Sequence, residues 1–358
     1  SHNRFLFTFS YLDQMSDHFV RLSESKANAF RTVLPSGRQP TNELLIQLSV
    51  FDPVTGDYGH VEKNVTVKKV SIAGGLTQIL DEAIENKNYT TVLTIANRIS
   101  MESNQELKQN REELKLIITQ LLTYTSSLSN DNSVLVDQKL WVIDLTTTHS
   151  ILVNNQDIVL ALNVALDVLE TDISNSSTTL VSSMGYQNIA NVISNVATNG
   201  FKNDTIATAL LHTASSLSTF IESVLLLGDE PVDISSTNFR IIITLGIHNH
   251  TSIGDHVSIP SNVSSQIGGE GIISSILIFK DNPYQTLSSS ITTGNKEAPV
   301  SSAIIDMKFK NYSDQSIIPV ANLTEPLLIY FDRNHAQKQG ACPEATFKCQ
   351  YWNEENKR

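Results

Sequence analysis

Eight asparagines in this chain stand in the pattern that accepts N-linked glycans, Asn-X-Ser/Thr with X other than proline. They are Asn64, Asn88, Asn175, Asn203, Asn249, Asn262, Asn311 and Asn322. Any single match arises easily by chance in a chain rich in Asn, Ser and Thr. Because these eight are spread over the whole length, we expect a secreted or luminal protein that carries several glycans.

A second group with chemical potential lies near the end of the chain. It contains both cysteines, Cys342 and Cys349, and the aromatic pair Tyr351 and Trp352. The cysteines do not form the C-x-x-C pattern of zinc or redox sites. We expect the two aromatic rings to fill part of a domain core rather than to bind a partner.

Sequence patterns for catalysis are missing. The chain has no G-x-S-x-G, H-E-x-x-H or P-loop pattern. His248 and His250 alternate as two zinc ligands on one strand would, but no clear third ligand accompanies them, so exposed strand histidines are favoured. For Asp52 and Asp57, a plain turn is favoured over calcium binding. We expect no catalytic residue, no metal and no cofactor.

Charge and hydropathy restrict the partners. The 358-residue chain has a formal net charge of −12, and no stretch concentrates Lys and Arg. Nucleic acids and anionic membrane surfaces would be repelled, so neither is an expected partner. No apolar run approaches the roughly 18 residues of a membrane span, and no signal-peptide pattern opens the chain. The sequence predicts a soluble ectodomain segment.

The periodicity of apolar residues divides the chain into three parts. Residues 1–72 alternate apolar and polar positions, as in "RFLFTFS" and "ELLIQLSV", with a turn-rich "DPVTGDYG" between strands. Residues 73–236 contain helical stripes, from which we expect five or six helices. Residues 237–358 return to short strands, including "FRIIITLGI", "GIISSILIF" and "SSAIIDMKF". The predicted fold is a multidomain α+β chain: a β-sandwich module, a helical bundle and a second β-sandwich.

Several stretches together resemble a known family. The "CQYW" of residues 349–352 resembles the opening of the GPCR proteolysis site at the end of a GAIN domain. Upstream, "KDNPYQ", "SSAIIDMKFKN" and "IPVANLTEPLLIYF" look like the strands that precede this site in the polycystin-1 family. Residues 44–70 look like the closing β-module of the receptor-for-egg-jelly region, which precedes GAIN in that family. The order of these stretches along the chain is more specific to that family than any single stretch is.

The resemblance implies a domain plan and a chemistry. Residues 1–72 would end the egg-jelly-receptor region, residues 73–236 would form the helical GAIN subdomain, and residues 237–358 would form its β-sandwich. The self-cleaving His-Leu-Ser/Thr, the second Trp and a further Cys of the site are not in this chain. Any autoproteolysis therefore lies beyond residue 358. Cys342 and Cys349 either pair with each other or, as in the family, with cysteines further along.

The function implied by the resemblance is non-enzymatic. Such a chain is an extracellular segment of a polycystin-1-like glycoprotein of the plasma or ciliary membrane, or of the sperm surface. Its roles would be adhesion, force transmission and assembly with a polycystin-2-like channel, with a bound C-terminal strand of the proteolysis site as a further partner. Its extracellular protein or glycan ligand stays open. Two alternatives are the ectodomain of an adhesion G-protein-coupled receptor and a secreted enzyme with a diffuse site.

Overall fold

Strands open the chain, helices follow, and strands return. A computed structural model describes residues 5–12, 19–25, 34, 41, 43–52, 55, 57–67, 75–100, 104–149, 152–174, 181–198, 204–246, 251–253, 257–259, 271–280, 304–318 and 328–329. The protein is a mixed α+β chain in which every pair of described strands is antiparallel. The predicted α+β class is confirmed at this level.

The described elements have the following bounds. The strands are β1 (Leu6–Leu12), β2 (Phe19–Ser25), β3 (Glu43–Phe51), β4 (Tyr58–Thr66), β5 (Val232–Ser235), β6 (Phe239–Leu245), β7 (Thr251–Ile253), β8 (Val257–Ile259), β9 (Ile272–Phe279), β10 (Ile304–Asn311) and β11 (Leu328–Ile329). The helices are α1 (Leu76–Glu85), α2 (Tyr89–Ser100), α3 (Asn104–Gln109), α4 (Arg111–Ser126), α5 (Ser133–Thr147), α6 (Asn155–Ser174), α7 (Ser183–Thr198) and α8 (Asp204–Val224).

The first sheet has the strand order β2-β1-β3-β4. Its core is formed by Tyr11 and Leu44, which are 1% and 2% exposed, and Trp141 of α5 packs against them. The Asn97 side chain on α2 donates a hydrogen bond to the Tyr11 hydroxyl. The predicted turn between β3 and β4 is confirmed, because the Asp52 N–H donates to the carbonyl oxygen of residue 57 at 2.9 Å.

The helical part follows the predicted stripes. On α4 the five apolar positions 114, 117, 118, 121 and 122 are all fully buried, and those predicted on α7 and α8 are buried as well. The described residues contain eight helices, whereas five or six were expected. The additional ones include α2 and α5. The composition of α2 is typical of strands, because it includes Thr91, Val92 and Thr94. On α5 the apolar side chains are not confined to one side, so its sequence shows no clear helical stripe.

A second sheet has the order β10-β9-β6-β5, and β11-β8-β7 form a smaller third sheet. All eight residues of β9 are buried, as expected for a central strand covered on both faces. The predicted strands at β6, β8, β9, β10 and β11 are confirmed. The short strand β5 was missed, because its four residues follow an exposed loop with the composition of a linker.

The chain divides into two compact units. One comprises residues 1–196 with 208–217, and contains the first sheet and helices α1–α6. The other comprises residues 197–207 with 218–358, and contains strands β5–β11. The predicted domain boundaries after residues 72 and 236 stay predictions.

Candidate functional site

The described residues include three of the eight glycosylation candidates and none of the terminal group. Cys342, Cys349, Tyr351 and Trp352 lie outside the described residues, and so do Asn175, Asn203, Asn249, Asn262 and Asn322. The predicted strand histidines, His248 and His250, also lie outside them. The structure therefore describes the surroundings of three candidate glycosylation sites, Asn64, Asn88 and Asn311.

Asn64 lies on β4, the outer strand of the first sheet among the described strands. It is exposed, and so is Thr66, the hydroxyl residue of its glycosylation pattern. Asn64 is in register with Leu45 of β3. Since side chains stand roughly perpendicular to a sheet, a glycan on this amide would project from the sheet face without entering the β3–β4 ladder.

Asn88 is exposed immediately before α2. Its side-chain oxygen accepts a hydrogen bond from the Thr91 N–H at 3.2 Å, so it caps the first turn of the helix. A glycan is attached through the amide nitrogen, which leaves the oxygen available for the cap. Capping and glycosylation are thus compatible at this position.

Asn311 ends β10 and is partly buried. Its side-chain oxygen accepts from the N–H and the hydroxyl of Ser313, at 3.0 and 2.9 Å. Ser313 is the hydroxyl residue of the same glycosylation pattern, so the pattern is closed into an Asx-turn. The turn lies in an exposed loop that continues through Asp314, where hydrogen bonds from Ser316 lower the pKa of the carboxyl.

Several charged side chains among the described residues are buried or partly buried, and their burial was not predicted from the sequence. Three of them make contacts that connect different elements. The first is Asp144 on α5. Its carboxylate accepts hydrogen bonds from Asn191 at 2.9 Å and Asn195 at 3.3 Å, both on α7. Part of the residue is open to solvent, but burial of the carboxyl group raises its pKa to about 7, against the effect of the two amide hydrogen bonds.

The second is Lys139, also on α5, which is 1% exposed. Its ammonium donates to the carbonyl oxygen of Leu128 at 2.9 Å and to the side-chain oxygen of Asn130 at 2.7 Å, and lies 3.7 Å from the Asp167 carboxylate. Burial lowers the pKa of Lys139, while Asp167 partly restores it. These bonds hold the turn after α4 in place, which is a structural role.

The third is Glu222, near the end of α8. It is 1% exposed and forms an ion pair with Lys310 of β10. The Ser218 hydroxyl donates to the same carboxylate at 2.8 Å. The only signal in the sequence for these three residues was a charge placed within an apolar helical pattern.

Within the described ranges, no cluster of three or more His, Cys, Asp or Glu side chains is arranged to hold a metal ion. None of the described helices combines the length and the apolar character needed to cross a membrane.

Neither models of protein families nor curated protein sequences match the chain. Its resemblance to the polycystin-1 family therefore stays a prediction, based on the motifs quoted above.

Proposed function

We propose that this chain is a non-enzymatic, glycosylated extracellular segment of a polycystin-1-like membrane protein. In this proposal it links an adhesive region to a membrane-spanning part and transmits force between them. Its finer architecture would be a β-sandwich module, a helical bundle and a second β-sandwich that ends in the proteolysis site. A polycystin-2-like channel would be the membrane partner.

The order of the elements is the observation that carries the proposal. Strands β1–β4, helices α1–α8 and strands β5–β11 follow one another without β-α-β alternation. This is the order in which the family places its egg-jelly-receptor module, its helical subdomain and its β-sandwich. The surface positions of Asn64 and Asn88 add support, since a glycan at either site needs no rearrangement of the backbone.

Force transmission is supported by how the strands are joined. In the second sheet, β9 pairs with β10 and β6 over most of its length. A load along such strands acts on many backbone hydrogen bonds at once, together with the contacts of the buried β9 side chains. Local opening of this sheet therefore requires the loss of core contacts as well as of the ladder.

The proposal is tested first by glycan occupancy. The chain is expressed with a secretion signal in animal cells, and its intact mass is measured before and after treatment with peptide N-glycosidase. We expect several glycans, and the loss of one in each of the variants Asn64→Gln and Asn88→Gln. The control is Asn163→Gln, an exposed asparagine outside any glycosylation pattern, which should keep every glycan. A secreted chain without glycans would contradict the proposal.

A second test addresses the membrane partner. The full-length protein is extracted from its native membrane in mild detergent and captured with an antibody against residues 104–149. Mass spectrometry should identify a channel subunit of the polycystin-2 type, and denaturing gels will show whether the captured protein is cleaved after residue 358. Co-purification of a seven-helix receptor core in the same polypeptide would instead assign the chain to an adhesion receptor.

A further inference from the structure

The first sheet ends at β4, which pairs on one side with β3 and, among the described strands, with no other. Eight of its nine residues are exposed. Tyr58 and Val61 are 63% and 61% exposed, which is high for large apolar side chains. The outer edge of such a strand presents backbone N–H and C=O groups to a further strand.

The two faces of β4 differ. Val65 packs against the core formed by Tyr11 and Leu44, so Val61, four residues away, projects from the same face. The core formed by Tyr11 and Leu44 does not cover Val61, which stays exposed. Tyr58 projects from the opposite face, in register with Phe51 of β3, which is also exposed. Apolar surface is therefore open on both sides of the same edge.

We propose that β4 pairs antiparallel with the β4 of a second copy of this chain, about a two-fold axis through Val61. The pairing would join two four-stranded sheets into one sheet of eight strands. This inference does not depend on the proposed function, since it uses only the first sheet. The partner is a second copy because β4 is complementary to itself in this arrangement.

Geometry restricts the possible registers. Residues that face each other across two antiparallel strands must project from the same face of the sheet. A two-fold axis perpendicular to the sheet must therefore pass through a residue rather than between two residues. A two-fold axis near either end of β4 would pair only a few residues of the two copies. The axis is therefore expected to pass through a residue near the middle of the strand.

The charges of β4 disfavour two of the central positions, Glu62 and Lys63, as the place of the axis. An axis through Glu62 opposes two carboxylates, and an axis through Lys63 opposes two ammonium groups, which is destabilising in either case. An axis through Val61 opposes two apolar side chains. It also places His60 opposite Glu62 of the second copy, and Gly59 opposite Lys63. No pair of like charges faces each other in this register.

Glycosylation of Asn64 does not prevent the pairing. The new hydrogen bonds lie in the plane of the sheet, whereas the Asn64 side chain stands out of that plane. A single pair of strands is a small interface, so we expect a weak dimer, with a Kd on the order of tens of micromolar.

Cross-linking tests the register. In the full chain, Val61→Cys places two thiols across the axis at a separation suited to a disulfide. Mild oxidation should give a covalent dimer on a non-reducing gel. The control is Lys63→Cys, which is also exposed on the same strand and whose thiols would be four residue positions apart, roughly 13 Å. Because both variants keep Cys342 and Cys349, the control also measures any covalent dimer that these two cysteines form. Equal dimer yields from the two variants would overturn the proposed register.

Sedimentation equilibrium tests the association without a cross-link. The unmodified chain should show a monomer–dimer equilibrium, and Val61→Glu should weaken it by about tenfold or more, because two carboxylates would meet at the axis. Val61→Ile should preserve the dimer. Since Val61 is largely exposed, all three proteins should have matching thermal unfolding curves when monomeric. A chain that stays monomeric at several hundred micromolar would overturn the proposal.

Discussion

Glu222 and Lys310 form a buried ion pair between the end of α8 and strand β10. The side chain of Glu222 has no solvent exposure, and that of Lys310 has 14%. Both belong to the unit that contains the second sheet. Removal of either charge alone would leave the other one buried without its partner, which is costly in a protein interior.

The first prediction is a double-mutant cycle on this pair. Lys310→Met or Glu222→Leu alone should lower the free energy of unfolding by about 3 kcal/mol, because each leaves an uncompensated charge. The double variant should recover most of that loss, since two apolar side chains can pack in place of the pair. Urea unfolding of the four proteins measures the coupling. Additive losses in the double variant would show that the charges do not depend on each other.

The second prediction concerns two buried serines with different environments. The Ser274 hydroxyl on β9 is buried without a hydrogen-bond partner, whereas the Ser218 hydroxyl donates to Glu222. Ser274→Ala should raise the free energy of unfolding by about 1 kcal/mol, because it removes an unsatisfied polar group. Ser218→Ala should lower it by about 2 kcal/mol. Thermal unfolding of both variants checks the contrast, and a loss of stability in Ser274→Ala would mean that its hydroxyl has a partner.

The third prediction concerns the pH dependence of stability. The pKa of Asp144 is about 7 in the folded chain, above its ordinary value of 3.8, so the folded state binds this proton more tightly than the unfolded state. The free energy of unfolding should therefore fall as the pH rises from about 4 to about 7, by roughly 2 to 4 kcal/mol from this group. Asp144→Asn should remove that part of the fall.

The comparison is made by urea unfolding at several pH values, on chains produced in bacteria, because Asp144→Asn and Asp131→Asn each create an Asn-X-Ser/Thr pattern that animal cells could glycosylate. Other carboxyl groups also titrate over this range, so the informative quantity is the difference between Asp144→Asn and the unmodified chain. Asp131→Asn, a change at an exposed aspartate in the turn before α5, serves as the control. If Asp144→Asn and the unmodified chain had parallel pH profiles, the carboxyl would be ionised throughout.

The fourth prediction concerns Gly185, in the first turn of α7. A Cβ atom there would lie 2.6 Å from Val181 Cγ1 and 2.8 Å from Asp137 Oδ1. Gly185→Ala should therefore lower the free energy of unfolding by about 2 kcal/mol through overpacking. The matched control is Gly59→Ala, where no atom lies within 4 Å of the added Cβ. Its stability should change by less than about 0.5 kcal/mol, and equal effects in the two variants would contradict the packing argument.

Local sequence patterns were enough to predict many elements. The stripe on α4, with Ile117 and Leu121 fully buried, has a period that only a helix satisfies. The alternation along β3 and the turn formers after it predicted the β3–β4 hairpin. Helix α2 was missed because its β-branched residues favour strands locally, whereas in the folded chain ten of its twelve residues are buried by tertiary packing.

The sequence by itself determined the order of strand and helical regions, and which asparagines have the pattern for glycosylation. Only the tertiary structure decided that Glu222 meets Lys310, that Asp144 meets Asn191, and that β4 pairs with β3 alone among the described strands. These relationships join residues that are distant along the chain, by as many as 88 positions for Glu222 and Lys310. The periodicity of apolar residues predicts the face of a helix or strand on which a side chain lies. The residue that this side chain contacts depends on how the elements pack against each other.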